Sequence, residues 1–404
     1  MARLAVNGGT PVRKKDFPLW PIVTKSDEQA VLNALNSHRW GLGGQFIGQF
    51  EKKFAEFAQA KYALSVTNGT AALEVALRGV GVKAGDEVII TPYTFIATAS
   101  SVLTVNAVPI FVDIDPDTYL IDPDRIEAAI TPRTTAIIAV HIAGLPCDMD
   151  RIKRLARKHK LAVIEDACQA HGAEWKGRPV GAIGEAGCFS FQSSKNLSSG
   201  EGGVCVTDDR EVWERMWSLK NCGRIPRGAF YEHHVLGWNV RMTEFQAALL
   251  LSQMKRLPAQ MKKRDENGAY LTQLLNQIEG IKPQKWTKGT TRHAYHLYIF
   301  RYDKKAFGGV PRARFIEALT AEGIGASSGY VPLYKEEMFV VDPAVHVFAG
   351  KVNYAKVRCP VCEHACAEEA VWLYQRLLLG TKRDMEDIAT AMVKVQKNVA
   401  ELRT

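Results

Sequence analysis

A single lysine, Lys195, sits in FQSSKNLSSGEGG (191–203), a run of hydroxyl, amide and glycine residues that overlaps the apolar stretch CFSFQ (188–192). Such a lysine is either a solvated loop cation or an amine held for reaction, and a reactive amine needs a depressed pKa or a covalent partner. Two other apolar segments end in residues that could do related chemistry. In SVTNGTAALEVAL (65–77) a strand-like stretch runs into Thr67-Asn68-Gly69-Thr70 and then at once into helix-forming sequence. Free N–H groups at a helix start, with Gly69 permitting close approach, suit a phosphate. An ordinary N-cap by Asn68 or Thr70 would give the same pattern. In LAVIEDACQAHGA (161–173) an apolar run ends in Glu165 and Asp166. An acid at the end of a buried strand is costly without a partner. A protonated heterocyclic nitrogen is one such partner; a helix start or a nearby arginine is another. Ser190 and Ser193 add hydroxyls that could reach a phosphate.

The elements that must position these residues are legible from periodicity. EVIITP (87–92), VPIFVDI (108–114), AIIAVHI (136–142), LAVIEDA (161–167) and GGVCVTD (202–208) are short, β-branched and bounded by turn residues, as buried strands are. Helical patterns alternate with them: Phe50, Phe54 and Phe57 share one face of QFEKKFAEFAQA, and TAALEVALRGV (70–80) is a second helix. Alternating strands and helices predict a mostly parallel sheet covered on both faces, with its site at the strands' carboxyl ends. Past about residue 250 the texture changes. A long polar helix (260–278), a strand (293–302), a helix (312–323) and a final helix (384–402) predict a smaller α+β unit. The expected division is a large domain over 1–255, including an N-terminal arm, and a small domain over 256–404.

The 404-residue chain carries 47% hydrophobic and 24% charged residues, ordinary for a globular protein. No apolar run is long enough to span a bilayer, and the start MARLAVNGGTPVRKK has no apolar signal core, so a cytoplasmic protein is expected. Eight cysteines scattered through apolar contexts fit reduced thiols better than a disulfide framework. The net charge of +9 is dispersed; its densest run, KRLARKHK (153–160), reads as the outer face of a helix, so no nucleic-acid partner is expected.

A phosphate cradle, a strand-end acid and a loop lysine, in that order, meet the needs of pyridoxal phosphate. The lysine makes a Schiff base, the acid keeps the pyridine nitrogen protonated, and the helix start holds the phosphate. These motifs, together with TPYTFIATA (91–99), WNVRMTEFQAALL (238–250) and CPVCEHACAEEAVWL (359–373), resemble the DegT/DnrJ/EryC1/StrS sugar and cyclitol aminotransferases. That is a branch of the fold-type-I pyridoxal phosphate enzymes, and the resemblance runs from about Val6 to the last helix. It implies that Lys195 forms the Schiff base and shuttles the proton, and that Asp166 pairs with the pyridine nitrogen. Gln169 would lie near the ring hydroxyl, Phe95 would stack on the ring, and Gly69, Thr70 and Ser190 would hold the phosphate. Asn239 would reach the phosphate of a neighbouring subunit's cofactor, which implies a homodimer with shared sites. Val240 stands where the family usually has an aromatic residue.

The resemblance is greatest to members that aminate keto-cyclitols of the scyllo-inosose type with glutamine. Transfer from glutamine or glutamate to a keto-cyclitol or keto sugar is therefore the expected activity. Nucleotide-linked keto-sugar aminotransferases and aminohydroxybenzoate synthases are alternatives within the class. A lyase or dehydratase, or a non-catalytic partner subunit, is the alternative outside it; the family's dehydrating members have His where this chain keeps Lys195. Tyr330, Arg224, His141 and Arg241 are candidates for the substrate mouth. GLGGQFIG (41–48) breaks the dinucleotide-binding glycine spacing and is expected to loop over the site. Cys359, Cys362, His364 and Cys366 resemble a metal knuckle, but the spacing is compressed and no second CxxC lies near, so no metal is expected. In the resembling family this segment leads into a structural helix.

Overall fold

The computed structural model describes residues 3–402. Its centre is a seven-stranded sheet of β1 (Tyr62–Val66), β2 (Glu87–Ile90), β3 (Val108–Phe111), β4 (Thr134–Val140), β5 (Ala162–Asp166), β6 (Ala186–Ser190) and β7 (Gly203–Thr207), in the spatial order β1–β7–β6–β5–β4–β2–β3. Neighbours from β6 through β3 run parallel, whereas β7 is antiparallel to both β1 and β6. The strands are buried almost throughout, which is why they read as continuous apolar runs rather than as alternation.

Registers Val140 to Asp166, Asp166 to Cys188, and Ser190 to Gly203 to Val66 bring the ends of β4, β5, β6 and β1 level. The site residues that follow those strands therefore converge. The helix Phe46–Ala58 buries Phe50 and Phe54 against Phe189 and Phe191, next to the lysine loop. Asn68 caps the helix Gly69–Gly79, its side chain accepting from the Ala71 N–H at 2.8 Å.

A second, antiparallel sheet orders its strands Ile281–Pro283, Leu297–Tyr302, Ala370–Tyr374 and Ala326–Ser327. The helices Leu257–Leu275, Arg312–Ala321 and Lys382–Lys397 pack around it, with Leu271, Phe300, Phe315, Val371 and Met385 in its core. Leu4 and Phe17 from the N-terminal segment join that core, while Leu297, Ile299 and Trp372 belong to the core of the large sheet. Side chains beyond residue 255 thus contribute to both cores.

Two expectations are corrected. The segment after Cys359 forms only a short helix, Pro360–His364, and a π turn, then becomes the strand Ala370–Tyr374. Val371, Trp372 and Tyr374 are strand-formers, and pairing with Leu297–Tyr302 overrides the preceding helical start. Residues 41–48 do not line the central cavity of their own chain. Glu244 accepts from the Phe46 and Ile47 N–H groups, at 2.6 and 3.0 Å, and fixes this stretch as a helix entry. KRLARKHK does lie on the solvent side of a helix, Met149–His159. All eight cysteines are unpaired. Among the described residues no helix is long and apolar enough to cross a membrane.

Candidate active site

The strand ends open into a cavity of about 940 Å³. Gly69, Thr70, Phe95, Asp166, Gln169, Ser190, Lys195 and Tyr330, eight residues expected from sequence, all line it. Its far wall comes from the second sheet and the N-terminal segment: Trp372, Tyr374, Gln375, Arg376, His296 and Trp20.

Lys195 is held by a tightly knit loop. The Phe191 N–H donates to Gly202 O at 2.8 Å and the Ser199 N–H to Phe191 O at 2.9 Å, so the loop is closed at its base. Gln192 Oε1 accepts from the Ser194 N–H and hydroxyl, and Asn196 Nδ2 donates to Ala294 O at 2.7 Å. The Lys195 amine itself donates to no described group. Burial lowers its pKa below the ordinary lysine value, an effect that Cys168 and Asp166 partly offset.

Asp166 and Glu165 point to opposite faces of β5, as consecutive strand residues must. Asp166 Oδ2 accepts from Thr98 Oγ1 at 2.8 Å, and Oδ1 from the Cys168 N–H at 3.2 Å. Thr94 lies 3.0 Å behind Thr98 in the same chain of hydroxyls. Glu165 accepts from the N–H groups of Gly181, Ile183 and Gly184, at 2.7–2.8 Å, and from His141 Nε2 at 3.0 Å. Burial opposes that charge, but the His141 bond and the backbone donors outweigh it, so the Glu165 carboxyl lies below its usual range. Asp166 therefore serves the cavity, and Glu165 ties β5 to the 181–184 turn.

Gly69 packs on Ser190: a Cβ there would lie 2.7 Å from Ser190 Cβ and 3.1 Å from Ser190 Oγ. The N–H groups of Gly69 and Thr70, first in their helix, have no upstream helical carbonyl to bond. Gln169 is fixed at both ends, accepting from the Ala143 N–H at 2.8 Å and donating to Tyr330 Oη at 2.9 Å. Tyr330 stands edge-on to Trp372, whose Nε1 donates to Tyr93 Oη. Phe95 leaves more than half its surface open, facing the cavity.

Four expected residues lie elsewhere. His141 is fully buried behind β5, and both its nitrogens are used: Nδ1 accepts from the Cys147 N–H and Nε2 donates to Glu165. The expectation that it borders the substrate mouth is not met, because the strand ends one residue before it and its side chain turns inward. Arg224 is spent on its own loop, with Nε on Phe230 O and the guanidinium over the Phe230 ring. Arg241 contacts Cys222 Sγ, and Asn239 is exposed, bridging by backbone to Asn221. None of the three borders the cavity of its own chain.

Sequence reasoning missed Thr98, Trp20, His296, Gln375 and Arg376. Thr98 stands one helical turn after Thr94 in the quoted TPYTFIATA, the one signal that could have marked it. The others follow elements whose placement no local pattern reveals.

Comparison with known proteins identifies the chain's relatives. The sequence profile described as the DegT/DnrJ/EryC1/StrS aminotransferase family matches residues 21–392. A Streptomyces kanamyceticus protein named "Putative L-glutamine:3-amino-2,3-dideoxy-scyllo-inosose aminotransferase" is 41% identical, over 99% of this chain and 98% of its own. A Streptoalloteichus tenebrarius "L-glutamine:2-deoxy-scyllo-inosose aminotransferase" is 38% identical, over 99% of both. Among solved structures, 3-amino-5-hydroxybenzoic acid synthase superposes with a TM-score of 0.87 at 33% identity, over 95% of this chain and 99% of that one. A Bacillus subtilis protein solved with its cofactor PMP bound gives 0.82 at 27% identity, over 96% and 86%.

Proposed function

From the premise that the chain belongs to the DegT/DnrJ/EryC1/StrS aminotransferase family, we propose that it moves an amino group from glutamine or glutamate to a keto-cyclitol of the scyllo-inosose type. The observation that carries the reading is the convergence of Lys195, Asp166, the Gly69–Thr70 helix start and an open Phe95 face on one cavity.

The residues present fit pyridoxal phosphate. The Gly69 cradle, which a Cβ would fill, accepts a phosphate beside Ser190. Phe95 offers an aromatic face, Gln169 lines the same cavity, and Asp166 offers a carboxylate whose orientation Thr98 sets. When bound, the cofactor supplies an aldehyde that condenses with amines and a ring that accepts electrons from the adjacent carbon.

This chain's residues do the rest. Asp166 holds a proton at the ring nitrogen. The Lys195 amine, less basic than a solvated lysine, takes a proton from the carbon that bears the leaving amino group and returns one to the carbon that receives it. Gln169, locked between Ala143 and Tyr330, keeps its wall in place, and the aromatic cluster of Tyr330, Trp372 and Tyr93 keeps water from that side.

The working unit in this reading is a homodimer. Asn239 lies on an exposed segment that also shows Phe230, Tyr231, Val235 and Leu236 to solvent, an apolar patch suited to burial against a second copy. Asn239 and Arg241 then complete the partner's site rather than their own.

The test is the visible absorption of the protein loaded with pyridoxal phosphate. Glutamine should bleach the band, and a keto-cyclitol should restore it with formation of the amino-cyclitol. A band that no amino donor changes would overturn the reading in favour of a lyase or a partner subunit.

A further inference from the structure

Arg264, on the helix Leu257–Leu275, is fully buried and has no carboxylate beside it. Its Nε and Nη2 both donate to Gln375 Oε1, at 3.0 and 2.5 Å, and its Nη1 has no hydrogen-bond partner. The guanidinium lies 5.1 Å from the Trp20 ring, which lines the cavity. An unpaired buried charge is costly to keep.

The arrangement has a second consequence. Because Gln375 Oε1 accepts both bonds, its amide orientation is fixed and its NH2 group must face away from Arg264. Gln375 is 3% exposed and lines the cavity, and its Nε2 donates to no described group. The next residue, Arg376, also lines the cavity. Only its Nη1 is engaged, in contacts of 3.3 and 3.5 Å with the Pro18 and Phe17 carbonyls, which leaves Nε and Nη2 without described partners. Of the cavity's own carboxylates, Asp166 is held by Thr98 and Glu201 stands at the lysine loop. Neither pairs with Arg376.

We propose that Gln375 and Arg376 form the subsite for the amino donor's α-carboxylate, with Arg264 as the residue that positions and polarises Gln375. The proposal rests on the amino-transfer reading above. An amide NH2 beside a guanidinium presents a row of donors, the complement of a carboxylate. The buried Arg264 charge strengthens the Gln375 dipole and gives the wall a positive potential that water does not screen. The phosphate cradle at Gly69 and Ser190 belongs to the central sheet, whereas Gln375 and Arg376 follow the strand Ala370–Tyr374 of the second sheet. The two anions are therefore recognised by different elements. Uncharged acceptor ketones have no use for this wall's charge, so donor and acceptor binding separate here.

The experiment uses the holoenzyme and the variants Gln375→Glu and Arg376→Met. Gln375→Glu keeps an acceptor for Arg264 and gives it a counter-charge, so the fold is retained while the cavity loses a donor. The KM for glutamine should rise about 10- to 100-fold in each variant. The KM for the ketone acceptor, and the bleaching rate with 4-aminobutanamide, which has no carboxylate, should stay within about twofold. Glutarate, a carboxylate with no amine to transfer, should bind the wild type by calorimetry and bind both variants more weakly by a similar factor. Arg264→Lys, which cannot make both bonds to Gln375, should raise the glutamine KM alone. An unchanged glutamine KM, equal rises for donor and acceptor, or undiminished glutarate binding overturns the proposal. If the wild type takes an amino group from no amino acid, the amino-transfer reading fails, and the glutarate titration still decides the subsite.

Discussion

Thr98 Oγ1 donates to Asp166 Oδ2 at 2.8 Å, so the carboxylate proposed to hold the ring proton is itself held from the helix Ala97–Thr104. Because the Thr98 hydrogen goes to Asp166, the hydroxyl of Thr94 is the donor in their 3.0 Å contact. The strict isostere Thr98→Val removes one charge-assisted bond. We expect kcat to fall roughly 10-fold with cofactor affinity little changed. Asp166→Asn should cost at least about 100-fold, since in the proposed reading it removes the proton holder itself. Steady-state rates beside cofactor titrations check both; a loss confined to cofactor affinity would make Asp166 merely structural.

Gly69→Ala tests the cradle. Its methyl group would meet Ser190 Cβ at 2.7 Å and push the helix start away from the strand end. Overpacking of this kind costs about 1–3 kcal/mol, and here it should appear as weaker cofactor binding, roughly 5- to 100-fold. Equilibrium dialysis with pyridoxal phosphate gives the answer, and unchanged retention would move the phosphate elsewhere.

Glu165→Gln should destabilise the protein by about 3 kcal/mol, because an amide NH2 would face donors that now share a carboxylate. Denaturant unfolding of the purified variant measures it. The effect should be on stability far more than on KM, since Glu165 faces away from the cavity.

His171 is buried against the Phe189 and Phe191 rings, with the Ser190 backbone as a polar neighbour that only partly supports its charged form. Burial pushes its pKa down to about 3, with the Lys195 charge contributing. The unfolded chain binds this proton at a higher pH than the folded chain does. The group is therefore neutral in both states at neutral pH, and its contribution to stability is lost as pH falls from about 6.5 towards 3. His171→Phe should flatten that limb of the Tm–pH curve while keeping the ring contacts. An acid limb of unchanged slope would assign the loss to other groups.

Mixing Lys195→Ala and Asn239→Ala protomers tests the shared site. A hybrid dimer would carry one doubly damaged site and one intact site. After full exchange, activity should return to roughly a quarter of the wild type, because half the dimers are hybrids with one working site each. No recovery after exchange proven by mass spectrometry would place Asn239 in its own subunit's site.

Much of this was legible in the sequence, for a local reason. Asp166 and Ser190 end buried strands, Gly69 and Lys195 lie within five residues of one, and the sheet brings those strand ends together whatever the rest of the chain does. Glu165 and Asp166 could not be told apart from spacing alone, because which of two adjacent acids faces the cavity depends on strand orientation. His141 also follows directly on a strand, and spacing alone does not distinguish a pocket histidine from a structural one; its bonds to Glu165 and the Cys147 N–H make it structural. Gln375 and Arg376 gave no signal because their partners are remote in sequence: Arg264 is 111 residues from Gln375, and Phe17 and Pro18 are 359 and 358 residues from Arg376. The strand before them begins in residues that read as helical.

The lysine loop is stitched shut at its base to β6 and β7, while the wall carrying Gln375, Arg376 and Tyr330 belongs to a separate sheet with its own core. The reagent and the selector are thus mounted on different pieces of scaffold. Substitutions that reshape the selector need not disturb the reach of the amine. A lineage built this way can exchange one amino donor for another through mutations in the second sheet alone, keeping its chemistry intact at every step.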